Sequence, residues 1–293
     1  MASCQAEEDT TKDPTKAVIR DEATEELITA VEEGDEAGLR SALARGACPK
    51  VTWSTAQESW CLVSVAAGRG HDHLLPHLLQ AGLNIEGGGT DDMTPLMLAA
   101  SNGYPKAVKT LLTFGANPLA TNSDGVRALH LAAAEGHHEC VAALIDVTPP
   151  TPTHPEGITS VHVASYNGHV EVLEQLTDAG WSLTGKDNDG WTPLHFAAVG
   201  GCVASAQWLV QRGADPGVQD RNGHTPLNIA EQYGCHEVET WLAKNFGGTV
   251  KSEDRRVDQV VRLWSRVLLI GFSGMWGEGQ EGSIQRGGMR GRS

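Results

Sequence analysis

Seven glycines recur along this 293-residue chain at a nearly fixed interval: Gly34, Gly70, Gly103, Gly136, Gly168, Gly201 and Gly234, separated by 36, 33, 33, 32, 33 and 33 residues. Four positions before each stands alanine (Ala30, Ala66, Ala99, Ala132, Ala164, Ala197, Ala230). Seven before each is a branched aliphatic residue: Leu27, Val63, Leu96, Leu129, Val161, Leu194 or Leu227. Eight after it comes Leu78, Leu111, Leu144, Leu176, Leu209 or Leu242, with Ala42 in the first unit. A period near 33 describes a stack of like supersecondary units rather than one globular core.

Each unit reads as helix, turn, helix and hairpin-like loop. Thr94-Pro95, Thr192-Pro193 and Thr225-Pro226 are helix starts, where the hydroxyl accepts an orphan N–H and proline suits the first turn. The periodic glycine ends that helix, and a second apolar-periodic segment follows, as at Val203 to Val210. Asp124-Gly125, Asp189-Gly190 and Asn222-Gly223 then mark tight turns. The alanine column is expected to lie between closely packed helices.

The pattern resembles the ankyrin repeat, whose T-P-L-H-x-A-A hallmark stands here as TPLHFAA at Thr192 to Ala198. The resemblance covers about residues 23 to 248 and implies an all-α solenoid of about seven helix-turn-helix units. These run over about 23–55, 59–90, 91–123, 124–156, 157–188, 189–221 and 222–248. Cys61-Leu62 and Arg127-Ala128 stand where Thr-Pro is expected, so these two helix starts are predicted to be less well capped. The first unit is charged on its outer positions, as a terminal repeat requires.

The resemblance also implies a concave face formed by fingertips and first helices. The fingertip column, which follows a glycine in four of the units, is expected to point toward it, giving Trp60, Met93, Val126, Ile158, Trp191 and His224. The ends of the first helices add Arg69, Asn102, Glu135, Tyr166, Asn167, Gln232 and Tyr233. Trp, Tyr and Arg commonly dominate binding energy, which singles out Trp191, Trp60 and Tyr166 as anchors.

Composition narrows the function. The net charge is −15, and residues 1 to 249 carry 14 basic and 32 acidic residues, net −18, which opposes binding of nucleic acid. No run reaches the roughly 18 to 20 apolar residues of a membrane span, and the N-terminus lacks a signal-peptide core. The expected compartment is cytoplasmic or nuclear, where the six cysteines stay free thiols. Six of the twelve histidines belong to the repeat: His130, His162 and His195 in the T-P-L-H slot, and His71, His137 and His169 after the turn glycine. His71, His73 and His77 have helical spacing but no partner at ligand spacing, so no metal or other cofactor is expected. Phosphate-loop, nucleophile-elbow and zinc-protease motifs are absent.

Three segments break the period. The turn after the fourth unit, VTPPTPTHPEGI from Val147 to Ile158, holds four prolines and should be a stiff, atypical fingertip. Thr148 and Thr151 each precede proline and are candidates for proline-directed phosphorylation. Residues 1–22 form an acidic stretch expected to be disordered. Val257, Val260, Val261, Trp264 and Leu268 mark one face of an expected capping helix within 249–270, followed by a Gly-rich, disordered 271–293. The whole reads as a monomeric, non-catalytic scaffold or adaptor that binds another protein. The alternative is a regulatory or targeting subunit of an enzyme complex such as a ubiquitin ligase or phosphatase.

Overall fold

Every periodic glycine adopts a left-handed backbone, with φ between 68° and 84°. The computed structural model describes residues 21–54, 59–151 and 154–247. The expected N-terminal disorder, capping helix and Gly-rich tail lie outside the described residues. Fourteen α-helices follow one another in seven pairs among the described residues. The first helices are α1 (Glu22–Glu33), α3 (Leu62–Gly68), α5 (Pro95–Ser101), α7 (Ala128–Ala134), α9 (Ser160–Asn167), α11 (Pro193–Val199) and α13 (Pro226–Tyr233). Their partners are α2 (Glu36–Ala44), α4 (Leu75–Gln80), α6 (Pro105–Thr113), α8 (His138–Ile145), α10 (Val170–Asp178), α12 (Val203–Gln211) and α14 (His236–Phe246). Among the described residues the one departure from helix and loop is a small antiparallel hairpin, β1 (Thr52–Ser54) with β2 (Ser59–Cys61), in which Trp53 pairs with Trp60.

Each first helix packs on the next, from α1 against α3 through to α11 against α13. The second helices line up likewise from α4 to α14. The alanine column lies between these layers: Ala66, Ala99, Ala132, Ala164, Ala197 and Ala230 have no exposed surface, and Ala30 is buried too. The aliphatic positions Leu78, Leu111, Leu144, Leu176, Leu209 and Leu242 are buried on the second helices. Leu227 alone in its column is half-buried.

The turn glycines do more than reverse the chain. A Cβ at Gly136 would come within 2.5 Å of His169 Nδ1, one at Gly103 within 2.6 Å of His137, and one at Gly34 within 2.7 Å of His71. The residue after each glycine therefore lies over the glycine of the preceding unit. From there His71 Nε2 donates to Glu32 O (3.1 Å), His137 to Ser101 O (3.0 Å) and His169 to Ala134 O (2.9 Å). The Cys202 thiol takes the same place on Tyr166 O (3.1 Å), and Cys235 on Val199 O (3.4 Å). The accepting carbonyls sit in the last turn of a first helix, where the intrahelical ladder leaves them without a donor. In the third unit the position holds Tyr104, whose ring covers Gly70, and Asn102 Nδ2 supplies the missing bond to Gly68 O at 2.8 Å.

A second set of bonds ties helix starts to the following unit. His195 Nδ1 accepts the Thr192 amide (3.1 Å) while its Nε2 donates to His224 O (3.1 Å). His162 repeats this between the Thr159 amide (3.1 Å) and Trp191 O (3.2 Å). Of the two irregular starts, the one at Cys61 departs from expectation and the one at Arg127 follows it. Cys61 Sγ accepts the Ser64 amide at 3.4 Å, so the second unit keeps a cap. Arg127 offers no side-chain cap, and its amide is held by His130 Nδ1 at 3.3 Å.

The helix-start arrangement needs neutral imidazole with the proton on Nε2, because Nδ1 accepts an amide. Burial pushes His130 down to about 3, and His162 and His195 down to about 4. An unfolded histidine near 6.5 takes up protons that the folded one refuses, so stability falls as pH drops from about 6.5 toward 4. Asp187, raised by burial to about 6, acts in the opposite sense, as do Glu135 and Glu156, whose carboxyls burial also raises.

Two predictions follow from this packing. Ala132→Leu or Ala197→Leu overpacks the layer and costs about 1 to 3 kcal/mol in urea unfolding. Stability is lower at pH 5 than at pH 7, on the order of 1 to 2 kcal/mol for each fully buried histidine. His195→Asn flattens that slope, since Asn228 already performs the capping in the seventh unit with Oδ1 3.1 Å from the Thr225 amide. An unchanged slope in this variant removes His195 as a source of it.

Candidate interaction surface

The fingertips are built on a motif that the glycine-centred reading passed over. An Asn, Asp or His stands three residues before each fingertip glycine: Asn122, His154, Asp187 and Asp220. Asn122 Oδ1 accepts the amides of Asp124 (3.1 Å) and Val126 (2.8 Å). Asp187 Oδ1 accepts those of Asp189 (3.0 Å) and Trp191 (2.7 Å), and Asp220 Oδ1 those of Asn222 and His224 (both 2.8 Å). In the proline-rich tip His154 Nδ1 takes the role with the Glu156 amide (3.2 Å). The signal was present in the sequence as D/N/H-x-x-G at the repeat period.

This buried scaffold corrects the expected anchors. Trp60, Met93, Val126, Ile158, Trp191 and His224 are all buried, none more than 4 % exposed. Each tip lies against the next, so the side chain at this position is enclosed between neighbours. The Trp191 indole N–H donates to Asp220 Oδ2 at 3.1 Å, and its ring meets Phe196 edge-on with centroids 5.7 Å apart. His224 faces the same carboxylate, with Nδ1 3.4 Å from Asp220 Oδ2. These six residues join units together and are not presented to a partner.

The first-helix positions remain accessible. Arg69, Asn102, Glu135, Tyr166, Asn167 and Tyr233 are half-buried and Gln232 is exposed. Arg69 reaches back to the first unit, donating to Glu32 O (3.0 Å) and pairing with the Glu32 carboxylate (3.3 Å). Burial raises the Glu135 carboxyl and the Tyr166 phenol above their ordinary ranges. Of the two threonines, Thr148 is buried with its hydroxyl enclosed and unpartnered, which closes it to a kinase, whereas Thr151 is exposed. Pro152, which would complete that site, lies outside the described residues.

What the tips do present is charge. Asp91, Asp92 and Asp189 are exposed, and Asp124 and Glu156 are half-buried. Burial and the neighbouring Asp189 raise the Glu156 carboxyl, so the row is dense enough for its members to repel one another. On the opposite side of the units, Trp208 of α12 lies half-buried under the Arg212 guanidinium, 4.8 Å from the ring centre.

Histidines 71, 73 and 77 bond Glu32 O, Gly34 O and the Glu36 carboxylate respectively. Among the described residues no three His, Cys, Asp or Glu side chains gather in a way that could hold a metal ion. Among them, too, no helix is long and apolar enough to cross a membrane.

A family model described as ankyrin repeats (3 copies) matches residues 27–122, 62–151, 129–220 and 161–254. A search of curated proteins found no match.

The burial of Trp191 generates a direct prediction. Trp191→Ala lowers stability by about 3 to 5 kcal/mol, because it opens a cavity and strips the Asp220 carboxylate of a donor. A melting temperature equal to that of the unaltered chain would place the indole outside the core.

Proposed function

The chain belongs to the ankyrin-repeat family, and on that premise we propose that it is a non-catalytic scaffold which holds a protein partner against its first helices and fingertips. Ankyrin repeats are protein-interaction modules. The observation that carries the reading is the division of labour between polar residues. The recurring histidines are consumed in joining units and the recurring Asx side chains and threonines in closing tips and capping helix starts, while the non-repeating side chains at helix ends and tips stay accessible. A surface of this kind is rigid before binding, so little conformational entropy is lost when a partner docks.

The partner is a protein that offers a basic segment. The tips carry Asp91, Asp92, Asp124, Glu156 and Asp189 in successive units, on a chain of net charge −15. Such a row accelerates encounter with a cationic segment and sets its register more than it adds affinity.

The test is affinity capture with the full chain, followed by titration of the captured partner. Asp91→Asn, Asp92→Asn and Asp189→Asn together should weaken binding about tenfold at low salt and reduce its salt dependence. Asparagine is chosen because Asp91 and Asp92 both have φ of 58°, which it tolerates. Trp208→Ala, on the second-helix side, is expected to leave binding unchanged. Loss of binding in Trp208→Ala, with the triple variant unaffected, would move the working surface to the second helices.

A further inference from the structure

Asparagine stands directly before glycine at Asn102-Gly103, Asn167-Gly168 and Asn222-Gly223. Such a pair is reactive, because glycine has no side chain to hinder attack of its amide nitrogen on the preceding carboxamide. The fold treats the three pairs differently. Asn102 is half-buried, with Nδ2 donating to Gly68 O at 2.8 Å. Asn167 is half-buried in the last turn of α9, where its Nδ2 donates to Val163 O at 3.2 Å and the Gly168 amide to Ala164 O. Asn222 is exposed at the fingertip of the seventh unit, and among the described residues only its backbone is bonded, the amide to Asp220 Oδ1 at 2.8 Å. The cover over the glycine differs as well. A Cβ at Gly125 would lie 2.4 Å from Pro155, one at Gly157 3.0 Å from Asn188 and one at Gly190 3.0 Å from Arg221. At Gly223 nothing among the described residues comes within 4 Å. The Gly223 amide donates to Asp220 O at 3.2 Å, longer than the equivalent bonds of Gly125 (3.0 Å), Gly157 (2.8 Å) and Gly190 (3.1 Å). One long backbone bond is therefore what the turn must break to free this nitrogen.

We propose that Asn222 is a modification site, at which the folded chain exchanges a side-chain amide for a carboxylate. The Gly223 nitrogen gives its proton to water or hydroxide and attacks Cγ of Asn222. A C–N bond forms, the Cγ–Nδ2 bond breaks, and ammonia leaves with a proton taken from water, closing a five-membered succinimide. Water then adds to one of the two ring carbonyls and opens the ring, leaving an aspartyl or a β-aspartyl link. Both products carry a new negative charge. The place of that charge gives it a consequence. The residue before the fingertip glycine is Asp124, Glu156 and Asp189 in the three preceding units, and Asn222 is the neutral member of the column. Deamidation extends the acidic row into the seventh unit. This consequence rests on the scaffold reading and regulates it, because the surface offered to a basic partner lengthens as the chain ages.

The experiment uses the full chain, aged while folded at body temperature and mildly alkaline pH, beside a portion aged in urea. Peptide mass spectrometry reads the replacement of NH2 by OH at each Asn-Gly pair, and labelling by an isoaspartyl methyltransferase reads the β-linkage. In the folded chain Asn222 should convert while Asn102 and Asn167 keep their amides, and in urea all three should convert alike. Retention of the Asn222 amide in the folded chain overturns the proposal, and so does equal conversion of all three pairs in it. Neither readout involves a partner, so this failure is distinct from failure of the scaffold reading. The consequence is read with an oligolysine peptide at low salt. The aged chain and Asn222→Asp should bind it about twofold more tightly than the fresh chain, and aged Asn222→Ser should bind it as the fresh chain does. Conversion of Asn222 with no gain in affinity overturns the regulatory role. If the Asp91→Asn, Asp92→Asn, Asp189→Asn chain binds oligolysine as tightly as the unaltered one, the charged-tip reading fails and the modification of Asn222 stands.

Discussion

A short helix of two turns leaves its final carbonyls without donors, and this chain repeats that deficiency seven times. The fold depends on how the deficiency is met. A side chain from the following unit crosses the turn glycine and donates to the helix end below, whether it is the imidazole of His71, His137 or His169 or the thiol of Cys202 or Cys235. The bond cannot form within a unit, so no unit is complete alone. Stacking is thereby built into the hydrogen-bond requirements of each helix pair and not only into its apolar face.

The glycine column acquires two reasons from this. Its positive φ suits a residue without Cβ, and the ring of the next unit occupies the space where a Cβ would stand. The third unit shows how tightly the two are linked. Tyr104 covers Gly70 as a histidine would but does not serve the carbonyl, and Asn102, two residues earlier, takes over. Loss of a donor at one position has been met at another position on the same loop.

The same economy explains where recognition is found. Residues that recur are spent on joining units, as Trp191 is spent on Asp220 and His195 on His224 O. Recognition falls to positions that do not recur: the carboxylates of the tips and the helix-end side chains. The acidic tips favour a cationic partner by field.

The sequence by itself determined the repeat, its register, the helix pairs and the burial of the alanine column. These follow from period and residue size, which act within about 33 residues of chain. It also held the D/N/H-x-x-G signature of the fingertips, which a reading centred on the glycines did not use. It did not determine which fingertip side chains face a partner. Trp60, Met93, Val126, Ile158, Trp191 and His224 were expected to point toward the concave face, and only the stack shows that they are enclosed. The burial of Thr148 against the exposure of Thr151, three residues away, was decided in the same way. Exposure is a property of neighbours that are distant in sequence.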